Sequence, residues 1–137
     1  MEPIVWKENM AVNIDDIDED HRVLVAIVNK LAIADNRNDT TVVHDIINEL
    51  VTYARTHFED EEQYMLQAHY PSFDFHRGLH DKLTMRVLEF RAKFHDSKDI
   101  QVGEELYEFA SHWLATHILT EDVKFGQFFA TRGHHHR

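Results

Sequence analysis

Apolar residues recur at steps of three and four in four stretches of the chain, the spacing that lines one face of an α-helix. The four predicted faces contain, in chain order, Ile17, Leu24, Val28 and Leu31; Val43, Ile46, Leu50, Ala54, Met65 and Ala68; Phe73, Leu83, Val87, Phe90 and Phe94; and Val102, Leu106, Phe109 and Trp113. A short amphipathic segment follows, with Val123, Phe125, Phe128 and Phe129. The pattern predicts an all-α fold, an antiparallel up-down-up-down four-helix bundle that ends in a short C-terminal helix.

Capping residues and prolines mark the predicted helix ends. The predicted boundaries are an N-cap at Asp16 or Asp18 and a break at 36–38; a start at Asp39 or Thr40 and an end at Tyr70-Pro71; a start after Ser72 and an end near Asp96-Ser97; and an N-cap at Ser97 or Asp99. The first sixteen residues have no helical period, so we expect an extended N-terminal arm that lies across the bundle.

Composition narrows the classes of function. A chain of 137 residues has room for one domain, predicted over 1–137 with 134–137 as a disordered tail. The 14 Lys and Arg against 25 Asp and Glu give a net charge of −11, which argues against a nucleic-acid partner. The chain has no cysteine, which excludes disulfides, thiolate zinc sites and iron–sulfur clusters. No apolar run is long enough to cross a membrane, so we expect a cytoplasmic protein without membrane insertion. We also expect a monomer in which Phe128 and Phe129 cap the bundle, with a dimer contact at these residues as the alternative.

The 12 histidines are the unusual feature of this composition. When the apolar faces are extended, they carry inward His21 on the first helix, His57 and Glu61 on the second, His76 and His80 on the third, and His117 on the fourth. A single buried histidine is usually a hydrogen-bonded structural residue, but five imidazoles and a carboxylate cannot easily satisfy one another. Divalent metal would resolve the conflict by taking the lone pairs and neutralising the charge. The number of groups favours two metal ions.

Two metal ions bridged by carboxylates would need a second carboxylate besides Glu61. Asp122 lies five residues after His117 and could supply it. On a regular helix five steps of about 100° place Asp122 about 140° away from His117. Either the fourth helix ends or widens there, as in a π-bulge, or Glu121 at the regular i+4 spacing is the ligand instead.

The ordered set His21, His57-x-x-x-Glu61, His76-x-x-x-His80 and His117-x-x-x-x-Asp122 resembles the hemerythrin family, and its length resembles the single-domain bacteriohemerythrins. The resemblance covers nearly the whole chain, from Trp6 through the Tyr70-Pro71 turn to the segment Trp113-Leu114-Ala115-Thr116-His117-Ile118. It implies a non-heme di-iron centre that binds O2 reversibly for storage, delivery to an oxidase, or sensing. Such a protein is a binding protein and not an enzyme.

The resemblance also implies a role for each residue. One iron would take His76, His80 and His117, and the other would take His21 and His57 and keep one position open. Glu61 and Asp122 would bridge the two irons beside an oxo or hydroxo group from solvent. Leu24, Phe58, Trp113 and Ile118 match the positions that line the O2 pocket. Asp20 stands where many relatives carry Gln, and we expect its side chain to be solvated.

Other functions remain open on the same residues. The main alternative is an enzyme, a di-iron oxidase or a scavenger of peroxide or nitric oxide. A third class is metal storage or a structural zinc bundle, for which an open coordination position would have no use.

Overall fold

The computed structural model describes residues 2–33, 36, 38–97 and 100–131. These residues contain five α-helices: α1 (Asp15–Asn29), α2 (Thr40–Gln67), α3 (Phe73–Ser97), α4 (Ile100–His117) and α5 (Val123–Thr131). A π-helical turn, Ile118–Asp122, joins α4 to α5, and 3-10 turns occupy Glu8–Met10 and Lys30–Ala32. No strand occurs in the described part of the chain, which confirms the all-α prediction.

The four long helices form a closed ring of neighbours. Both α1 and α3 pack against α2 and α4, so each helix contacts the helices next to it in chain order, and α1 closes the ring on α4. Short connections between such neighbours make them antiparallel. The predicted four-helix bundle is confirmed. None of the described helices is both long and apolar enough to cross a membrane.

The helix ends follow the sequence signals in part. The Asp39 carboxylate accepts hydrogen bonds from the backbone N–H groups of Thr41 and Val42, so it caps α2 as predicted. The predicted limits of α3 are also confirmed. The predicted N-cap of the first helix is wrong, because α1 already begins at Asp15 and has no side-chain cap. Of the two N-cap candidates for the fourth helix, Ser97 is the last residue of α3, and Asp99 lies outside the described residues, as does the tail at 134–137.

Asp18 anchors the N-terminal arm instead of capping α1. Its two carboxylate oxygens accept hydrogen bonds from the backbone N–H groups of Val12, at 2.8 Å, and Asn13, at 3.1 Å. Asn13 itself adopts a positive φ of 64°, which turns the arm toward the start of α1. The carboxylate is buried, so these hydrogen bonds hold a fixed junction between arm and helix.

The arm lies across the bundle, as predicted. The Asn29 side chain exchanges two hydrogen bonds with the backbone of Ile4, at 2.7 and 2.8 Å, and the Tyr107 hydroxyl donates to the Glu2 carbonyl. The Arg22 guanidinium lies 4.9 Å from the centre of the Trp6 ring. The arm is therefore tied to both α1 and α4.

Two apolar clusters fill the interior, and a polar layer separates them. The larger cluster holds most of the buried residues of the four helices, including Leu24, Ala54, Leu83 and Leu114. The smaller one is formed by Val12, Ile14, Ile17, Met65, Ala68, Tyr70 and Phe125. Along the chain, buried polar residues fall between members of the two clusters: His21 between Ile17 and Leu24, Glu61 between Phe58 and Met65, and Asp122 between Ile118 and Phe125. The bundle therefore places its polar groups at one level.

The C-terminal helix α5 closes the end of the bundle beyond this layer. The rings of Phe128 and Phe125 each lie 5.0 Å from that of Tyr70, and Phe129 lies 6.0 Å from Tyr64. The predicted capping role of Phe128 and Phe129 is confirmed. At Gly126 the backbone of α5 approaches the arm so closely that an added Cβ would lie 2.6 Å from the Val12 carbonyl oxygen.

We expect Gly126→Ala to lower the free energy of unfolding by about 1–3 kcal/mol, the usual cost of overpacking. The clash is with backbone that Asp18 also holds, so it cannot relax by rotation of a side chain. Chemical denaturation of the metal-free protein measures the effect.

Gly78→Ala is the matched control. It lies within α3 with nothing within 4 Å of an added Cβ, and alanine is the better helix former by about 1 kcal/mol. This variant should therefore be more stable than the parent chain. Equal stability of the two variants would contradict the close approach.

Candidate metal centre

The polar layer brings together the six residues that helical periodicity carries inward and, with them, Asp122. They are His21 on α1, His57 and Glu61 on α2, His76 and His80 on α3, His117 at the end of α4, and Asp122 at the end of the π-helical turn. All seven side chains are buried, and Glu61 and Asp122 are 0% and 2% exposed. Two uncompensated carboxylates at such a depth would be very costly, so their neighbours must supply positive charge.

The Glu61 carboxylate divides its two oxygens between two groups of imidazoles. Its Oε2 atom lies 3.3 Å from His21 Nε2 and 3.2 Å from His57 Nε2. Its Oε1 atom lies 2.8 Å from His76 Nε2 and 3.3 Å from His80 Nε2. Glu61 therefore stands between a pair of histidines and a second histidine group on α3.

Asp122 divides its oxygens in the same way. Its Oδ1 atom faces His76 Nε2 at 2.8 Å and His117 Nε2 at 3.0 Å, and its Oδ2 atom faces His21 Nε2 at 3.1 Å. The π-helical turn makes this reach possible, because its wider winding brings a residue at i+5 back over His117. Glu121 is half-buried and does not belong to the cluster of ligand-type atoms. Of the two carboxylates considered from sequence, the geometry thus brings Asp122 to the centre.

The histidines of α3 and α4 direct their ring nitrogens at a common point. His117 Nε2 lies 3.1 Å from His76 Nε2 and 3.2 Å from His80 Nε2. A neutral imidazole has one donor and one acceptor nitrogen, so three converging Nε2 atoms cannot all be satisfied by one another. Two groups of ligand-type atoms result, with all atoms in each group within 4.8 Å of one another: Glu61, His76, His80, His117 and Asp122, and His21, His57 and Glu61.

The ligand-type atoms are close together, and their orientations are also those expected of metal ligands. Several of them lie at ion-pair distance from a neighbour but do not meet hydrogen-bond geometry. Within the described residues, His21 Nε2, both Glu61 oxygens and Asp122 Oδ1 have no hydrogen-bond partner. Buried polar atoms are nearly always hydrogen-bonded, so convergence without hydrogen bonds indicates lone pairs that point at a cation. Imidazole and carboxylate together suit iron, zinc and similar divalent ions.

The pKa values show how strongly the cluster attracts positive charge. Burial lowers the pKa of His21, but the negative carboxylates of Asp122 and Glu61, 3.1 and 3.3 Å from its Nε2 atom, outweigh this effect and raise the pKa to about 10. The same balance raises the pKa of His76 to about 9. Burial raises the pKa of Glu61, but its histidine partners hold it well below the usual value. In the metal-free protein the carboxylates are therefore charged, and protons on the imidazoles neutralise them.

Two further carboxylates contact the outer sides of the histidine rings. Asp20 Oδ2 lies 3.1 Å from His57 Nδ1, and Glu62 Oε2 lies 3.0 Å from His80 Nδ1. The expectation that Asp20 is solvated is wrong: its side chain is 22% exposed, and the Tyr53 hydroxyl donates to its Oδ1 atom at 3.0 Å. Helical periodicity carried no signal for these contacts, because both carboxylates lie outside the apolar faces. Their position next to His21 and Glu61 in sequence was the only available hint.

Apolar residues cover the layer on the side of the larger cluster. Phe58 stacks on the His80 ring, with centroids 3.9 Å apart, and Trp113 stacks on the His117 ring at 4.4 Å. Leu24, Phe58 and Trp113 also line a cavity of about 20 Å³. Ile118 is fully buried beside His117 but does not line this cavity. Three of the four residues expected to form a pocket therefore share one small apolar space.

Comparisons with known proteins agree with this geometry. Bacteriohemerythrin from Stenotrophomonas maltophilia (strain R551-3) is 34% identical over 119 residues, which cover 87% of this chain and 76% of the relative. A hemerythrin subunit from Sipunculus nudus is 30% identical over 126 residues, with 92% and 93% covered. A crystal structure of wild-type hemerythrin superposes with a TM-score of 0.81 at 26% identity and covers 92% of this chain and 97% of that one.

The match to a family model spans the whole bundle. Residues 12–129 match the model of the hemerythrin HHE cation binding domain, and this range includes every residue of the polar layer. It also reaches from the junction of the arm to α5. The chain belongs to the hemerythrin HHE cation-binding domain family.

Proposed function

We propose that this protein binds O2 reversibly at a di-iron centre held by the seven buried residues of the polar layer. The observation that carries the proposal is that each of the two carboxylates directs one oxygen to each of two histidine groups. A carboxylate shared in this way is suited to bridge two metal ions. The names of the relatives, bacteriohemerythrin and hemerythrin, support the same function.

The two metal positions are unequal. His76, His80 and His117 surround one of them, whereas His21 and His57 are the imidazoles of the other. If Glu61 and Asp122 serve both ions, the second ion has one protein ligand fewer and keeps a position for an exogenous ligand. Such a position has no purpose in a structural zinc bundle. The unequal division therefore supports a site that binds a small molecule.

The charge of the site suits reduced iron. Two ferrous ions carry four positive charges; the two carboxylates and a bridging hydroxide remove three, and five neutral imidazoles add none. A nearly neutral site is tolerated in a protein core. When bound, the iron would supply the electrons and the open coordination position that O2 binding requires. The imidazoles, which outnumber the carboxylates, favour reversible binding over cleavage of the O–O bond.

The apolar residues beside the centre would keep water away from it. Leu24 lies one helical turn after His21, and Trp113 lies one turn before His117. Water beside the open position would favour irreversible oxidation of the iron that these residues would hold. The cavity lined by Leu24, Phe58 and Trp113 is small, and its other lining side chains are aliphatic except that of Thr84. A dry surrounding of this kind supports carriage of oxygen rather than oxidation of a substrate.

The central test is anaerobic loading with Fe(II), followed by cycles of air and vacuum. The variant used has His134, His135 and His136 replaced by Ala, because a histidine run binds metal adventitiously. We expect two iron ions per chain and a colour that appears in air and disappears under vacuum. One irreversible oxidation would instead support an oxidase or a scavenger of peroxide or nitric oxide. Fewer than two iron ions per chain would contradict the di-iron centre.

The assignment of Asp122 has a test of its own. Asp122→Asn should lower iron binding from two ions per chain to one or none, because the amide carries no charge and offers a single acceptor oxygen. Glu121→Gln, one residue earlier, should still bind two ions and is the matched control. Circular dichroism of the metal-free variants checks that both remain helical. Loss of iron in the Glu121 variant alone would reverse the assignment.

Leu24→Ser tests the dry pocket. The side chain is 2% exposed, and a hydroxyl there would admit water beside the open position. We expect the iron to become irreversibly oxidised at least about tenfold faster, a change of about 1.4 kcal/mol in barrier height. The measurement is the fraction of reversible O2 uptake that survives each cycle. Leu50→Ser is the control. Leu50 lines the same cavity but lies seven residues before His57, so its replacement should change this fraction much less.

A further inference from the structure

Asp20 connects two neighbouring helices through a chain of hydrogen bonds that ends on a proposed metal ligand. The Tyr53 hydroxyl of α2 donates to Asp20 Oδ1 of α1 at 3.0 Å. The other carboxylate oxygen, Oδ2, lies 3.1 Å from His57 Nδ1, one turn after Tyr53 on α2. Both oxygens of Asp20 are therefore engaged, and the carboxylate has a fixed orientation against the outer edge of the imidazole.

The opposite edge of the same ring faces the proposed metal centre. His57 Nε2 lies 3.2 Å from Glu61 Oε2, in the group that contains His21. A neutral imidazole carries its proton on one nitrogen only, and the hydrogen bond at that nitrogen decides which one. An acceptor at Nδ1 keeps the proton there and leaves the Nε2 lone pair for a metal.

We propose that Asp20, oriented by Tyr53, is a positioning residue that holds His57 in the Nδ1–H form with its Nε2 lone pair directed at the two-imidazole metal position. This inference rests on the metal centre of the proposed function and assigns Asp20 a role beyond it. The charge of the carboxylate also makes the Nε2 atom of His57 a stronger electron-pair donor to a metal, because a negative acceptor pulls the Nδ1 proton toward itself.

The effect should be confined to one of the two metal positions. His21, the other imidazole of that position, has no hydrogen-bond partner on Nδ1 among the described residues. His57 is therefore the imidazole of this pair that a carboxylate orients. At the three-imidazole position the corresponding contact is made by Glu62 to His80. Removal of Asp20 leaves that contact intact, so one metal ion should be weakened and the other retained.

The same two helices offer a matched control. Asp16 of α1 accepts a hydrogen bond from the Tyr64 hydroxyl of α2 at 3.0 Å, as Asp20 does from Tyr53. This second pair is also an aspartate and a tyrosine between the same helices, but the Asp16 carboxylate accepts from a tyrosine and not from a histidine ring. Asp16→Ala therefore removes a carboxylate and an interhelical hydrogen bond of the same kind without affecting the orientation of a proposed ligand.

The test is a Co(II) titration of the full-length, metal-free protein against a competing chelator, with His134, His135 and His136 replaced by Ala in every variant. The parent chain should bind two Co(II) ions. Asp20→Ala should weaken one of the two by about 10–100-fold, the usual effect of removing such a partner. The affinity of Asp20→Asn for this ion should lie between those of the parent and of Asp20→Ala, because the amide oxygen accepts the hydrogen bond but carries no charge. Asp16→Ala should bind both ions with the affinity of the parent.

A spectroscopic signal separates positioning from a general loss of stability. In the Zn(II)-loaded parent, the His57 Nδ1–H proton should give a downfield, slowly exchanging NMR resonance that couples to the ring nitrogen. Tyr53→Phe should shift this resonance and increase its exchange, since Asp20 loses its other partner. Asp16→Ala should leave it unchanged.

The outcomes separate this inference from the proposed function. Asp20→Ala with two Co(II) ions at parental affinity and an unchanged His57 resonance would overturn the inference alone. A parent chain that holds fewer than two Co(II) ions would overturn the metal centre and the inference with it. A parent that binds two Co(II) ions, loses one in Asp20→Ala and fails to bind O2 reversibly would uphold the inference while contradicting the proposed function.

Discussion

Two negative charges enclosed at one level of the bundle are the constraint on which the rest of the structure depends. Glu61 and Asp122 are almost completely buried, and an unpaired buried carboxylate costs several kcal/mol. In the metal-free protein, protons on imidazoles such as His21 and His76 compensate these charges, as the raised pKa values of both rings show. Metal ions can replace those protons at the same place. The attraction between these carboxylates and positive charge thus holds the cluster together without metal, and the same attraction would bind the metal ions.

This electrostatic constraint explains an irregular backbone. π-helical turns are rare, and Ile118–Asp122 forms one in the middle of an otherwise regular helical segment. A regular α-helix would bring Glu121 over His117 and leave Asp122 turned away from the centre. The irregular turn instead puts the shorter side chain between His21 and His117, at 3.1 and 3.0 Å. The contacts of one buried carboxylate outweigh the poorer backbone geometry of five residues.

The sequence predicted the fold well because the signals for it are local. Periodicity identified the four helices, the Asp39 cap located the start of α2, and the same periodicity selected six of the seven residues that converge in the polar layer. It could not choose between Glu121 and Asp122, since the direction of a side chain after a π-turn depends on contacts made in the folded bundle. The roles of Asp18 and Asp20 were missed for a related reason. Each is settled by a partner on another segment, Val12 on the arm and His57 on α2, and a one-dimensional pattern does not contain such pairs.

The aromatic residues beside the centre combine two effects that substitutions cannot easily separate. Phe58 lies flat on His80, with an interplanar angle of 6°, and Trp113 lies nearly flat on His117, at 13°. Their faces exclude water, but they also restrict the planes of two imidazoles and so the direction of two lone pairs. Replacing either ring would change dryness and ligand orientation together. Leu24 lines the same cavity but stacks on neither imidazole, so a substitution there changes the solvation of the centre without removing a ring contact.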